Sequence, residues 1–250
     1  MIIIDAHAHL GFDCVFDWEI TEESLIKCYE KCGISGAIVQ PLLNRPYMED
    51  TVQIHNRIWQ FCIKNPGRFW GIASINPHFR HAEYKKEAER CIKDLGFVGL
   101  KLNPQGHATH PATEDGIFVF ECANKLGVPV MVHTGYEGAS FTDPVSLIPV
   151  IKKYNDLKIV LAHAGSDAFF AQALYLAQVF DNIYLEPSWL NVLNLTTIIK
   201  EVGANRVMFS TDDPTNAPVE LAKYKTVLED TEMLEQAFYK TALEVFSLKI

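Results

Sequence analysis

Short apolar runs alternate with longer amphipathic segments along the whole chain. The runs are rich in β-branched and aromatic residues and are bounded by Gly, Pro, Asn or Asp, which is typical of buried strands. The segments between them have the spacing of helices, and several of them end on a capping glycine such as Gly33, Gly96 or Gly127. The strand-like runs span residues 2–9, 35–41, 69–77, 97–104, 128–135, 158–165, 182–187 and 206–214.

This alternation predicts an α/β fold in which helices cover a parallel sheet. Eight strand–helix units within 250 residues favour closure into one (β/α)8 TIM barrel, a single domain over residues 1–250. The competing fold is a doubly wound open sheet. It is disfavoured because no strand is followed by GxGxxG or GxxxxGK[ST].

Polar residues recur at the carboxyl ends of these runs. In the fourth run Leu100 and Leu102 share one face, and Lys101 and Asn103 share the other. Because a lysine cannot lie unpaired against the helix layer, Lys101 and Asn103 are predicted to face the barrel interior. The carboxyl ends of the strands carry the active site in this fold. The same alternation assigns the interior face to Asp5, His7, His9, His133, His163, Glu186, Ser210 and Asp212.

Two of these residues have the spacing of metal ligands. In His7-Ala8-His9 the imidazoles project from one face of a strand, so both can reach one cation. His133 and Asp212 would complete a set of three imidazoles and one carboxylate. This set predicts one divalent ion, with zinc first and manganese or another divalent ion as alternatives, and it leaves a position for water.

Composition and charge narrow the choice of partners. Twenty-two basic and 31 acidic residues give a net charge of −9, and no run of Lys and Arg occurs. A small-molecule substrate is therefore expected, and nucleic acid or a membrane surface is not. The first residues lack the basic region of a signal peptide, and the six cysteines include no CxxC pair, which favours reduced thiols in the cytoplasm. Whether the chain forms a homodimer stays open.

Five motifs together resemble the amidohydrolase superfamily over essentially the whole chain. They are DAHAHLG at 5–11, GLKLNP at 99–104, PVMVHTG at 129–135, LAHAG at 161–165 and FSTDDP at 209–214. The likeness is strongest to the branch that contains aminocarboxymuconate-semialdehyde decarboxylase-like enzymes and other metal-dependent hydrolases. The resemblance implies a distorted TIM barrel with His7, His9, His133 and Asp212 as metal ligands. It also implies that Asp212 transfers a proton and that His163 is catalytic or a further ligand.

The function predicted first is a metal-dependent hydrolase that activates water against an amide, lactone or related carbonyl bond. The alternative is a metal-dependent decarboxylase of an unsaturated or aromatic acid, and a catalytically silent metal-binding protein is a third. A site with one metal ion is favoured over a site with two ions bridged by a carboxylated Lys101. Asp5 is expected either to orient an imidazole or to pair with Lys101, and Glu186 either to contact substrate or to make a structural hydrogen bond. The other predicted substrate contacts are Lys101 and Asn103. Rim aromatic residues are expected either to wall an aromatic or unsaturated substrate or to pack on the barrel mouth; they are Phe12, Phe16, Trp18, Tyr136 and Trp189.

Overall fold

Parallel strands curl around an apolar interior in the computed structural model, which describes residues 1–43, 45–135 and 141–250. The sheet order is β2-β1-β3-β4-β5-β6-β7-β8, and β2 alone pairs in the antiparallel direction. This arrangement confirms the predicted α/β class and the distorted barrel. The strands are β1 Ile4–Asp13, β2 Trp18–Ile20, β3 Gly36–Pro41, β4 Phe69–Ser74, β5 Gly99–Leu102, β6 Val130–His133, β7 Ile159–Ala162 and β8 Ile183–Glu186.

Helices follow the parallel strands and form the outer layer. The first of them begins with a capping box between Thr21 and Ser24. It ends where Gly33 adopts a left-handed conformation, and this glycine was predicted from the sequence. None of the helices in the described residues combines the length and apolarity needed to cross a bilayer. The helices are α1 Glu22–Cys32, α2 Met48–Lys64, α3 His81–Lys93, α4 Glu114–Leu126, α5 Ile148–Lys153, α6 Ser166–Val179, α7 Val192–Val202, α8 Ala217–Val227, α9 Thr231–Glu235 and α10 Thr241–Phe246.

The predicted eighth strand, at 206–214, is not a regular strand, and this corrects the sequence interpretation. It closes the gap between β8 and β1 through two isolated bridges, Leu185 to Val207 and Ala8 to Asp212. The backbone of Asp212 adopts a left-handed conformation with φ 63°, so the segment leaves the extended geometry that a ladder requires. It then enters a 3-10 turn at Pro214–Asn216. The barrel is therefore closed by single contacts rather than by a full strand.

A bulge in β1 corrects a second expectation. The pairing of β1 with β3 shifts register between Asp5 and Ala8. Ile4 and Ala6 lie with the interior cluster that also contains Ile38 of β3, whereas Ala8 lies with the cluster under the helices. The strict alternation that placed Asp5 in the interior therefore fails, because a bulge adds one residue and reverses the phase of the strand. After the bulge His7 and His9 face the barrel mouth.

A buried polar cluster fastens α2 and α3 to β4 outside the barrel. His55 Nδ1 donates to Glu87 Oε1 at 2.7 Å, and His55 Nε2 accepts from the Ser74 amide at 3.1 Å. Arg90 donates to both Glu87 oxygens at 2.8 Å, and the Cys91 thiol donates to Oε1 at 3.4 Å. The trio of His55, Glu87 and Cys91 has the composition of a metal site, but its nitrogen and oxygen atoms are already paired. The cluster therefore acts as a structural link.

This link predicts a loss of stability in acid. Burial raises the pKa of Glu87, but hydrogen bonds from Arg90 and His55 outweigh burial and lower the pKa from 4.5 to about 2. A carboxyl whose folded-state pKa is depressed contributes stability above its unfolded pKa, and this is lost as the pH falls from about 4.5 to about 2. We expect the free energy of unfolding to fall over this window in the wild type and to fall less in Glu87→Gln, as measured by urea denaturation at each pH. Glu89→Gln, on the exposed face of the same helix, is the control. Parallel pH profiles for Glu87→Gln and the wild type would contradict the prediction.

Candidate metal centre

Three of the predicted ligands converge at the mouth of the barrel. His7 Nε2 and His9 Nε2 are 3.0 Å apart. Asp212 Oδ1 lies 3.3 Å from His7 Nε2 and 3.2 Å from His9 Nε2. The bulge in β1 directs both imidazoles to the mouth, and the bridge between Ala8 and Asp212 sets the carboxylate over them. Two separate stretches of chain thus deliver three donor atoms to one point.

The protonation of the imidazoles makes this cluster fit a cation. His7 Nδ1 lies 2.5 Å from Glu186 Oε2, and His9 Nδ1 lies 2.9 Å from the Pro41 carbonyl oxygen. Each acceptor places the ring hydrogen on Nδ1, so both Nε2 lone pairs face each other and a carboxylate oxygen. Burial, with the charge of Lys101, lowers the pKa of His7 to about 3, so His7 keeps its Nε2 lone pair at neutral pH. A divalent ion would fit between these donors, and an acceptor behind each histidine is the usual arrangement of zinc and related sites.

Glu186 lies behind the His7 ring, at the nitrogen that faces away from His9 and Asp212. Its side chain is fully buried and also accepts from the Ser188 amide at 2.7 Å and from the Ser210 hydroxyl. Burial raises its pKa, but His7, His163 and Ser210 together lower the pKa to about 2, so the carboxylate stays ionised. The structural hydrogen bond, one of the two roles expected for Glu186, is observed, and the substrate contact stays a prediction. Through this hydrogen bond Glu186 orients His7.

Asp5 serves the backbone of the site. Its carboxylate accepts from the amides of His7 at 2.9 Å and Thr211 at 3.1 Å, and from the Tyr29 hydroxyl at 2.5 Å. Neither expected role is observed, since its partners among the described residues are these groups and the Thr211 hydroxyl rather than an imidazole or Lys101. Asp5 therefore ties β1 to the closing segment directly beside two of the donors.

His163 and His133 extend a row of imidazoles away from His7. The ring centroids of His7 and His163 are 5.1 Å apart, and those of His163 and His133 are 4.7 Å apart. His133, the predicted fourth ligand, lies at the end of β6 but outside the tight group of three donors. Burial, together with His163 and Lys101, lowers the pKa of His133 well below its usual value, so its ring is neutral.

His163 reaches the mouth for a reason that strand alternation does not supply. Val160 and Ala162 face the barrel interior, so the next residue would face the helix layer if β7 continued. The strand ends at Ala162, and His163 adopts a left-handed backbone with φ 62° that turns its ring back toward His7. Its Nδ1 lies 2.9 Å from Ser188 Oγ, which fixes the ring.

Lys101 lies at the floor of the site, as its parity predicted. Its side chain is buried, and Nζ lies 3.3 Å from His7 Nε2. Burial lowers the pKa of Lys101 to about 8, with Glu186 and Asp212 opposing the shift. Asn103 is half-buried one residue beyond β5, where its amide oxygen accepts from the Gly106 amide at 3.0 Å. Lys101 is thus part of the cluster, whereas the carbonyl oxygen of Asn103 caps its own turn.

Two neighbours of the donors were missed in the sequence. Trp189 was expected only as a rim aromatic residue, but its Nε1 donates to Asp212 Oδ2 at 2.8 Å. Gln40 pairs with His9 across β1 and β3 and is 1% exposed. Its Oε1 has no hydrogen-bond partner in the described part of the chain. The parity rule that found Lys101 also finds Gln40, whereas no sequence signal joins Trp189 to Asp212. Tyr136 lies outside the described residues.

The fold and these donors define a class of protein, a distorted (β/α)8-barrel enzyme with a candidate metal centre at the carboxyl ends of its strands. The amidohydrolase family model matches residues 4–248, so the chain belongs to the amidohydrolase family. This finding confirms the resemblance carried by the five motifs.

A hydratase and a decarboxylase are among the relatives that match this chain. Over 75 residues the chain is 42% identical to a 2-keto-4-carboxy-3-hexenedioate hydratase of Sphingobium sp., covering 27% of this chain and 22% of the relative. Over 201 residues it is 26% identical to a γ-resorcylate decarboxylase of Polaromonas sp., covering 60% of this chain and 61% of the relative. The matches thus span less than two thirds of either relative.

Solved structures of the same fold cover almost the whole chain. The 2,6-dihydroxybenzoate decarboxylase from Rhizobium superposes with a TM-score of 0.77 at 18% identity and covers 99% of this chain and 98% of its own. The dihydroxybenzoic acid decarboxylase from Polaromonas sp., with bound manganese and 2-nitroresorcinol, gives 0.78 at 20% identity, with 99% and 97% covered. The 5-carboxyvanillate decarboxylase from Sphingomonas paucimobilis gives 0.74 at 15% identity, with 99% of each chain covered. At these identities the likeness establishes the fold.

The hydrogen bond from His7 to Glu186 generates a prediction about metal affinity. Because the ionised carboxylate fixes the ring and raises the basicity of Nε2, we expect Glu186→Gln to weaken binding of Mn²⁺ by about 10–100-fold. The affinity is measured by isothermal titration calorimetry of metal-free protein with Mn²⁺. Glu87→Gln is a matched control, since it alters another buried carboxylate–histidine pair, outside the barrel. Equal affinities for Glu186→Gln and Glu87→Gln would refute the role of Glu186.

Proposed function

We propose that this chain is a metal-dependent lyase that decarboxylates a small aromatic or unsaturated carboxylic acid. The observation that carries the proposal is the buried amine of Lys101, which lies 3.3 Å from His7 Nε2. A cation at the floor of the site suits an anionic substrate. The decarboxylase relatives favour this alternative over the hydrolase that the sequence placed first.

The proposed metal ligands are His7, His9 and Asp212, with His133 as the fourth. When bound, a divalent ion would supply a Lewis acid for negative charge on substrate oxygens. Two nitrogens and a carboxylate suit either zinc or manganese, and the manganese-containing decarboxylase supports testing both. We retain one ion per chain, because His7, His9 and Asp212 form one tight group of three donors around a single point.

The side chains around the donors supply the remaining roles. Decarboxylation breaks the bond between the carboxylate and its carbon, leaves the electron pair on that carbon, and requires one proton there. The proton comes from solvent water, and we assign its transfer to the carboxylate of Asp212, whose side chain is one quarter exposed toward the mouth. Lys101 Nζ would bind the substrate carboxylate. His163 Nε2, with Nδ1 held by Ser188, would hydrogen-bond a polar substituent of the substrate.

One experiment separates the reaction classes. Protein loaded with Mn²⁺ or Zn²⁺ is incubated in ¹⁸O-water with ¹³C-carboxyl-labelled hydroxybenzoates and unsaturated diacids and, in parallel, with a panel of esters, lactones and amides. The products are analysed by mass spectrometry. We expect release of ¹³CO₂ and a product without ¹⁸O. Bond cleavage with ¹⁸O incorporation would instead indicate a hydrolase, and addition of water without cleavage would indicate a hydratase. No turnover of any of these compounds by metal-loaded protein would favour the silent metal-binding alternative.

His163 provides the second test. If it contacts substrate without binding the ion, His163→Asn should lower kcat by on the order of 10²-fold while metal content stays unchanged. His78→Asn, an exposed histidine on the loop after β4, is the control. Loss of metal together with activity would make His163 a ligand, and unchanged kinetics would leave it a structural role only.

Three further statements remain predictions from the sequence. They are the single domain over residues 1–250, the cytoplasmic location and the absence of nucleic acid or membrane partners. A homodimer remains an open alternative.

A further inference from the structure

Trp189 lies on the loop that follows β8, at the rim of the barrel. Its indole N–H donates to Asp212 Oδ2 at 2.8 Å, while Asp212 Oδ1 faces His7 and His9. An indole has one donor and no acceptor, so this bond defines the orientation of the carboxylate. We propose that Trp189 is a positioning residue that holds Asp212 as a single-oxygen metal ligand, and that a buried clamp from α8 holds Trp189 in turn. The inference rests on the metal centre of the proposed function but not on the reaction catalysed there.

The backbone of Trp189 requires support. Its φ of 68° is left-handed, a conformation that is unfavourable for a residue other than glycine. Such a conformation persists only where the surroundings impose it. Trp189 as a whole residue is also 54% exposed, so packing alone does not hold it in place.

Two side chains of α8 provide that support, and we call Glu220 and Lys223 the α8 clamp. Glu220 Oε1 accepts from the Trp189 amide at 2.9 Å. Lys223 Nζ donates to Glu220 Oε1 at 2.7 Å and to the Leu190 carbonyl oxygen at 2.6 Å. Asn216 Nδ2 donates to the same Glu220 oxygen at 2.9 Å. The clamp thus fixes the backbone on both sides of the Trp189 carbonyl.

The buried α8 clamp makes packing of this helix less favourable in free energy than apolar side chains would. Glu220 is fully buried, and its Oε2 has no hydrogen-bond partner among the residues the structure describes. A buried polar atom without a partner is destabilising, and an apolar side chain could fill this space without that penalty. We infer that the clamp serves to position the loop after β8. The contact that this position allows is the hydrogen bond from the Trp189 indole N–H to Asp212.

This contact limits what Asp212 can do. With Oδ2 engaged by Trp189, rotation of the carboxylate is restricted and Oδ1 alone faces the two imidazoles. The backbone of Asp212 is itself left-handed, so the side chain is constrained from both ends. A preoriented ligand loses less freedom when it binds an ion, so removal of the indole N–H should weaken metal binding.

Trp189→Phe tests the proposal, because it keeps an aromatic ring and removes the donor. Metal-free protein is titrated with Mn²⁺ by calorimetry, and tryptophan fluorescence is followed in the same titration. We expect about 10-fold or greater weakening of affinity in Trp189→Phe and loss of the fluorescence response. Trp18→Phe, at another exposed rim tryptophan, should retain both. Affinity within twofold of the wild type, or a wild type that binds no divalent ion, would overturn the proposal.

A pair of variants in the clamp tests the second step. Glu220→Gln keeps an oxygen that can accept from the Trp189 amide, whereas Glu220→Leu removes it. We expect Glu220→Leu to weaken Mn²⁺ binding as Trp189→Phe does, and Glu220→Gln to stay within about threefold of the wild type. If Glu220→Leu does not fold, the comparison of Trp189→Phe with Trp18→Phe decides alone. Unchanged affinity in folded Glu220→Leu would refute the clamp.

These titrations need no substrate, so they separate this inference from the proposed reaction. A protein that decarboxylates no acid but loses metal affinity in Trp189→Phe supports the inference and refutes the reaction. An active decarboxylase whose metal affinity is unchanged in Trp189→Phe supports the reaction and refutes the inference.

Discussion

The pairing of β1 with the segment that closes the barrel is the constraint on which the rest of the site depends. Two backbone contacts define it, Ala6 N to the Phe209 carbonyl oxygen at 2.9 Å and Asp212 N to the His7 carbonyl oxygen at 2.8 Å. Asp5 reinforces it from the helix side by accepting from the amides of both segments. Because the closing segment makes single contacts instead of a regular ladder, it can place a left-handed Asp212 over two histidines. The irregularity of the barrel and the geometry of the donors therefore have the same origin.

The molecule contains a buried carboxylate–histidine pair in two places, and the second ring nitrogen distinguishes them. His55 is held by Glu87, and its Nε2 accepts from the Ser74 amide, which completes its hydrogen bonding. His7 is held by Glu186, but its Nε2 faces His9, Asp212 and Lys101. The first pair joins helices to a strand, and the second presents a lone pair to a shared point. An inventory of residue types does not separate these two outcomes.

Left-handed backbone is concentrated where the site is built. His163, Trp189 and Asp212 all have φ between 62° and 68°, and each follows or closes a strand of the barrel. Such conformations are unfavourable for these residues and must be held by their surroundings. Here Ser188, the α8 clamp and the β1 pairing hold them, so stability contributed by ordinary packing and hydrogen bonds maintains the preorganised site.

The sequence by itself determined the fold class and most of the donors, because buried strands and capped helices leave a periodic record and because His7-Ala8-His9 lies in one local stretch. Alternation also identified Lys101 correctly, since β5 is regular. It failed at Asp5, at His163 and along 206–214, where a bulge, a strand end and a left-handed residue break the period of two. Two hydrogen bonds of the site join distant residues. Glu186 lies 179 positions from His7, and Trp189 lies 23 positions from Asp212. Only the tertiary structure decided them, because hydrogen-bond partners between distant segments are set by how the barrel closes and have no periodic signal along the chain.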